Sequence, residues 1–143
     1  FDYVIASNMI HHIPYPIEFF KEINRILKSN GKLIIFESHC SIIFQIATTI
    51  MKHEGFDFTL NVWDEKNPKS DENNAWHGNI AVPHLIFDDH EGFKKNLGKF
   101  FNVEYDRFTE CLIFLNSGGV TSKTKFIPMN KFFLKSMLEL AQQ

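Results

Sequence analysis

Two adjacent histidines, His11 and His12, follow an apolar run and precede a proline-bounded stretch in IASNMIHHIPYPIEFF, residues 5–20. An imidazole, with an ordinary pKa of about 6.5, accepts a proton at neutral pH or holds a hydroxyl without carrying a fixed charge. The pair therefore suits proton transfer or the orientation of a substrate; the alternative is that one ring packs or caps locally while the other is solvated. His39, His53, His77, His84 and His90 form no pair at i, i+4 spacing and no HExxH-like arrangement, so no metal is expected, the alternative being a site assembled from distant segments. Cys40 lies beside His39 without an evident orienting partner, and neither Ser7 nor Ser41 sits in a GxSxG elbow, which leaves nucleophilic catalysis with little support. NSGGVTSK lacks the Lys-Ser/Thr ending of a phosphate loop and is expected to be a turn.

The elements around the pair give it a setting. Tyr3 to Ala6 is apolar without alternation, as in a strand of a parallel sheet covered on both faces. Pro14 and Pro16 close the following loop, and Pro16 suits a first helical position, where its missing N–H would have had no partner. From Ile17 the residues Phe20, Ile23 and Leu27, with Phe19 and Ile26, recur at helical spacing, opposite Glu18, Lys21, Glu22, Arg25 and Lys28. Lys28 is expected to complement the helix C-terminus and Gly31 to take the positive φ that ends it. KLIIFE reads as a second buried strand, so the first forty residues form a βαβ unit and the fold class is α/β. The histidines then fall at the carboxyl end of a parallel strand, where open α/β sheets bind ligands.

Further along, Ser41 to Lys52 has the broad apolar face of a helix in Ile43, Ile46, Ala47, Ile50 and Met51. Residues 64–74 are expected to be a mobile surface loop, flanked by Trp63, Trp76 and His77, which either contribute to a substrate lid or anchor the loop. IAVPHLIF is ambiguous. DDHEGFKKNLGKFF reads as a helix with Asp88 or Asp89 as N-cap and Phe93, Leu97 and Phe100 or Phe101 on one face, leading into a strand near Asn102 to Asp106. MNKFFLKSMLELAQQ reads as a last amphipathic helix.

The 143 residues, 44% hydrophobic and with sixteen Phe, suffice for one aromatic-rich domain. A net charge of −2, with Lys and Arg dispersed, gives no electrostatic footprint for nucleic acid and no basic membrane-surface helix. The longest apolar run, SIIFQIATTIM, is too short to span a bilayer. Cys40 and Cys111 lack CxxC spacing and suggest reduced thiols in a cytoplasmic protein. The chain starts at Phe1, directly in a strand, and is expected to be a fragment whose unpaired strand edge favours aggregation or marginal stability.

FDYVIASNMIHHIPYPIEFFKEINRILKSNGKLIIFE resembles the central stretch of class I S-adenosylmethionine-dependent methyltransferases of the type 11-like kind. In these a strand beginning FD.V, a loop with HH, a helix ending E..R.LK..G and a strand L.I.E occur in this order. Residues 78–138 are more weakly similar to the C-terminal portion of a bacterial branch of these enzymes. The resemblance implies a mainly parallel, Rossmann-like sheet with helices on both faces, entered here at its fourth strand. The family's glycine-rich loop and ribose-binding acid have no counterpart in the chain.

On this resemblance, 1–143 is a single partial methyltransferase domain: a βαβ core unit at 1–40, a helical and loop insertion over the site at 41–101, and a C-terminal strand and helix region at 102–143. It implies that Ala6, Ser7 and Asn8 line the methionine side of S-adenosylmethionine, and that His11 or His12 faces the acceptor or the sulfonium. The expected function is methyl transfer to a small-molecule acceptor, such as a sugar or other hydroxyl, by the full-length protein and not by the fragment alone. Two alternatives stand beside it: a non-catalytic α/β binding module, and another doubly wound nucleotide-cofactor enzyme. The upstream sequence, or titration with S-adenosylmethionine, separates them.

Overall fold

The structure, a computed structural model, describes residues 1–50, 54–108, 132 and 135. It divides into two units, Phe1–Asn102 and Val103–Gln143.

In the first unit, β1 (Tyr3–Ser7) and β2 (Lys32–Phe36) pair in parallel, with Tyr3 opposite Lys32, Ile5 opposite Ile34 and Ser7 opposite Phe36. The connection between them is α1 (Pro16–Ile26), preceded by a 3₁₀ turn at Ile10–His12. Pro16 begins α1 as its sequence suggests, and Pro16, Ile17, Phe20 and Ile23 form the buried stripe. The turn that ends the helix differs from expectation. The positive φ falls on Asn30, at 70°, a residue that tolerates the left-handed region. Gly31 is needed for space instead, because a Cβ there would stand 2.9 Å from the Phe1 carbonyl oxygen and 3.0 Å from Leu27 Cδ2. Lys28 pairs with the Asp2 carboxylate at 2.9 Å and does not cap the helix.

Three further helices follow: α2 (Ile42–Ile50), α3 (Ala81–Phe87) and α4 (His90–Leu97), with long loops across 54–80. The ambiguous IAVPHLIF is thus helical. Its Pro83 is tolerated because the first-turn N–H groups of a helix have no intrahelical acceptor. Asp89, not Asp88, caps α4 by accepting from the Gly92 N–H at 2.9 Å, and its other oxygen accepts from Trp63 Nε1 at 2.9 Å. These two bonds hold the Asp89 carboxyl below the usual carboxylate range. Trp63 therefore anchors the preceding loop to α4, whereas Trp76 is exposed.

One face of the two-stranded sheet packs on a core of Ile10, Ile17, Phe20, Val62, Val82, Ile86 and Leu97, against which Leu33, Ile35, Phe93, Phe100 and Phe101 also pack. Ala6 points into this side and is buried. The expectation of a sheet covered on both faces is not met among the described residues: Tyr3, Ile5, Ile34 and Phe36 line the other face and are exposed. The apolar face expected for α2 is also uncovered at Ile46 and Ile50, as is Ile42, while Thr48 is buried and bonds to the Phe44 carbonyl at 2.8 Å. No described helix is long and apolar enough to cross a membrane.

In the second unit, residues 103–108 have no regular structure, so the strand expected near Asn102 to Asp106 is not formed; Val103, Tyr105 and Phe108 are exposed. The Arg107 guanidinium lies 5.9 Å from the Tyr105 ring centroid. Phe132 and Lys135 are helical, but Cys111, the turn expected at NSGGVTSK and the other residues of the expected terminal helix lie outside the described residues.

Candidate functional site

The site grows from the carboxyl end of β1. Asn8 leaves the strand with φ of 46° while its N–H stays tied to the Phe36 carbonyl at 2.8 Å, so the chain turns sharply and reaches the Ile10–His12 turn within two residues. A helical turn starts with N–H groups that lack acceptors. Here they are met from β2's side: Glu37, the residue after β2, accepts from the Met9 N–H at 2.8 Å and the Ile10 N–H at 2.6 Å through Oε1. Its Oε2 lies 2.9 Å from His11 Nδ1. One nearly buried carboxylate thus fixes both the turn and the orientation of the His11 ring.

A second carboxylate closes the other side. Glu54 Oε2 stands 3.3 Å from His11 Nε2, and Glu54 Oε1 stands 3.5 Å from His12 Nε2. The His11 and His12 rings tilt by 40° with centroids 4.2 Å apart. His11 is buried, whereas the His12 side chain keeps 24% of its surface exposed. Of the pair, His12 is the more exposed ring, with its Nε2 toward Glu54 and its Nδ1 buried.

Glu54 is far from the histidines in sequence and is brought to them by Asn79. The Asn79 N–H donates to the His11 carbonyl at 2.8 Å, and its buried carboxamide accepts from the Asp57 N–H at 3.0 Å and the Ala81 N–H at 3.1 Å. A parallel bridge joins Gly55 to Asn79. Gly78 beside it has no room for a side chain, since a Cβ would stand 2.8 Å from both His11 Cδ2 and His12 Nδ1. From the other direction Ser70 Oγ donates to the His12 carbonyl at 2.8 Å, and the Lys69 N–H donates to the Pro14 carbonyl at 2.8 Å. The segment expected to be a mobile surface loop is therefore strapped across the histidine turn at these two residues, with Lys69 buried, although 65–68 and 71–77 are exposed. An open cleft of about 280 Å³ borders this strap, lined in part by Gly55, Asp57, Ser70 and Gly78.

Of the residues expected at the cofactor, Ala6 has its side chain in the core and offers only backbone, while Ser7 and Asn8 are exposed at the strand end. Ser7 lies opposite the exposed Phe36 across the sheet, and Asn8 takes the left-handed conformation, with φ of 46°. His53 lies outside the described residues. His39, His84 and Asp88 come together in a second, more exposed group, with His84 Nδ1 2.9 Å from Asp88 Oδ2. Burial pushes the neighbouring Cys40 thiol up to about 12, and its Sγ donates to the Ile80 carbonyl, so the thiol is structural.

Glu37 and Glu54 carry no expectation from the sequence as site residues. For Glu37 a signal exists: it ends the strand parallel to β1 and so must lie beside the loop that leaves β1. For Glu54 there is none, because Asn79 places it.

Comparison with known families bears on the same segment. Residues 1–35 match the family model described as a methyltransferase domain. The N-terminal part of this chain is methyltransferase-like. The match runs through β1, the histidine turn and α1 and ends within β2, so it includes His11 and His12 and stops short of Glu37 and Glu54. It supports a methyltransferase-like function and, through it, a Rossmann-like reading of the α/β sheet. No curated protein and no solved structure matches the chain.

Proposed function

We propose that the chain serves S-adenosylmethionine-dependent methyl transfer to a hydroxyl of a small molecule, with the acceptor held at His12. The observation that carries this reading is the pairing of His12 with Glu54 at the end of β1, within a segment that matches a methyltransferase domain. When bound, the cofactor would supply a methyl group on a positively charged sulfur, and Ser7, Asn8 and the backbone of Ala6 would hold its methionine side. The acceptor oxygen bonds to the methyl carbon as the carbon–sulfur bond breaks, and the hydroxyl proton passes to His12. Glu54 then faces the imidazolium at 3.5 Å and stabilises it. His11, clamped between Glu37 and Glu54, positions the turn and does not itself meet the acceptor.

Most of the acceleration in such a displacement comes from alignment, with general-base help of about 10²–10⁴-fold. The test is made on the full-length protein with radiolabelled methyl donor and a panel of sugar and phenolic hydroxyl acceptors. His12→Ala should lower kcat by at least about tenfold with donor binding retained, since the base and not the cofactor contact is removed. Wild-type turnover in that variant refutes the role of His12. Absence of donor binding to the wild-type protein refutes the whole reading and favours a non-catalytic binding module.

A further inference from the structure

We propose that His11, His12 and Glu54 form a site for one divalent transition-metal ion of the zinc type, with Glu37 as the group that orients His11 toward it. This deepens the reading of the same site and rests on that reading only for what the ion would do to an acceptor.

Four observations point this way. One ligand atom from each of the three residues lies within 4.8 Å of the other two. The contacts of 3.3 and 3.5 Å between the imidazole Nε2 atoms and the Glu54 oxygens are long for charge-assisted hydrogen bonds, which run about 2.7–2.9 Å. They match instead the separation of about 3.3–3.4 Å between two donors that each stand about 2.0–2.1 Å from one tetrahedral ion. Moreover, Glu54 Oε2 is buried and makes no hydrogen bond among the described residues, an arrangement that costs stability unless something positive is accepted there. The His11 ring supplies the fourth observation. Its Nδ1 is taken by Glu37 at 2.9 Å, which leaves Nε2 as the atom directed at Glu54. A carboxylate behind a histidine fixes the tautomer in which the far nitrogen is a ligand.

Two imidazoles and one carboxylate leave a fourth tetrahedral position vacant, the arrangement of a reactive and not a purely structural zinc. His12 is the most exposed of the three, so that position is reached from the solvent side. With His12 and Glu54 engaged as ligands, the ion takes the place of His12 as the group that activates the acceptor: a hydroxyl bound there gives up its proton to solvent more readily, since the ion stabilises the alkoxide. The sequence did not suggest this site because Glu54 has no spacing relation to the histidines and reaches them only through Asn79 and Gly55.

The full-length protein, freed of metal by chelation, is titrated with Co²⁺ alone and followed by visible absorption, then back-titrated with Zn²⁺. One equivalent of Co²⁺ should give the intense bands of a low-coordinate site, and one equivalent of Zn²⁺ should remove them. Glu54→Gln and His12→Ala should abolish the bands, and Glu37→Gln should weaken binding by about 10–100-fold. His84→Ala, in the other histidine cluster, should leave them unchanged. Circular dichroism identifies any variant that fails to fold, and Glu54→Asp, which keeps the ligand type, then substitutes for Glu54→Gln and should weaken the bands and blue- or red-shift them. Absence of bands in the wild-type protein overturns the proposal, as does their persistence in folded Glu54→Gln or His12→Ala or their loss in His84→Ala. Methyl-donor binding is measured separately on the metal-free protein, so its failure would count against the methyl-transfer reading and leave the cobalt result standing.

Discussion

Glu37 offers the sharpest test of how the site is held. Its side chain is only 5% exposed and serves three donors: the Met9 and Ile10 N–H groups and the His11 ring. Hydrogen bonds to a charged group contribute about 1.5–3 kcal/mol each, and the contributions of neighbours do not add in full. Glu37→Ala leaves the Ile10 N–H and His11 Nδ1 without an acceptor in a buried place, and the expected loss is about 3–5 kcal/mol. Glu37→Gln keeps one carbonyl oxygen for the backbone donors but turns an N–H₂ toward His11, and about 1.5–3 kcal/mol is expected. With a urea slope of about 1–3 kcal/mol/M, the Ala variant should lower the unfolding midpoint by at least about 1 M. Hydrogen exchange locates the effect. The Met9 and Ile10 amides should exchange faster by about tenfold for each 1.4 kcal/mol lost locally, whereas amides within α4 should change only as far as global stability does. Midpoints within about 0.3 M of wild type, together with unchanged exchange at Met9 and Ile10, would refute the idea that Glu37 builds the turn.

Other outcomes follow from the same structure. Gly78→Ala should displace both imidazoles, lowering turnover by at least about tenfold and stability by about 1–3 kcal/mol, checked by kinetics and urea unfolding. Asp89 has its folded pKa below its unfolded one, so it stabilises the fold above about pH 4 and that contribution is lost as pH falls through the folded value; the stability gap between wild type and Asp89→Ala should therefore close in acid unfolding curves. Cys40, pushed up to about 12, should react slowly with iodoacetamide at pH 8 in the native protein and rapidly in denaturant. Its raised value also means that it favours the fold below about pH 8.5 and that this advantage is lost as pH rises toward the folded value. Ile5→Thr with Ile34→Thr, on the uncovered sheet face, should reduce self-association in light scattering without lowering the unfolding midpoint by more than about 0.3 M.

How much of this was legible in the sequence depends on the range of the forces involved. The helix from Pro16 was readable because its start signal and its 3.6-residue stripe are local, and both act within α1. The Asp89 cap was nearly readable for the same reason; Asp89 rather than Asp88 accepts from the Gly92 N–H, and a Trp63 bond from a distant loop reinforces that choice. The turn after α1 misled because Asn and Gly compete for the left-handed position, and Gly31 is required for a steric contact with Phe1 that spacing does not reveal. The apolar run Tyr3–Ala6 suggested a strand covered on both faces and Ser41 to Lys52 a helix with one broad buried face, but composition states what a surface prefers and not whether the chain supplies its cover. At the site, His11 and His12 stood out by type and by their place after a strand. Their two carboxylates did not, since one arrives across the sheet and the other through a side-chain bridge.

That bridge has a consequence for the timing of events at the site. Asn79 ties the His11 carbonyl, the Asp57 loop and the first turn of α3 with one peptide N–H and one carboxamide, so these segments share a single opening equilibrium. Whatever draws Glu54 and the histidines together must tighten the start of α3 as well, and by reciprocity a disturbance at α3 must loosen the grip on what is bound. Slowed exchange at the Ala81 amide would then report occupancy of a pocket that Ala81 never touches.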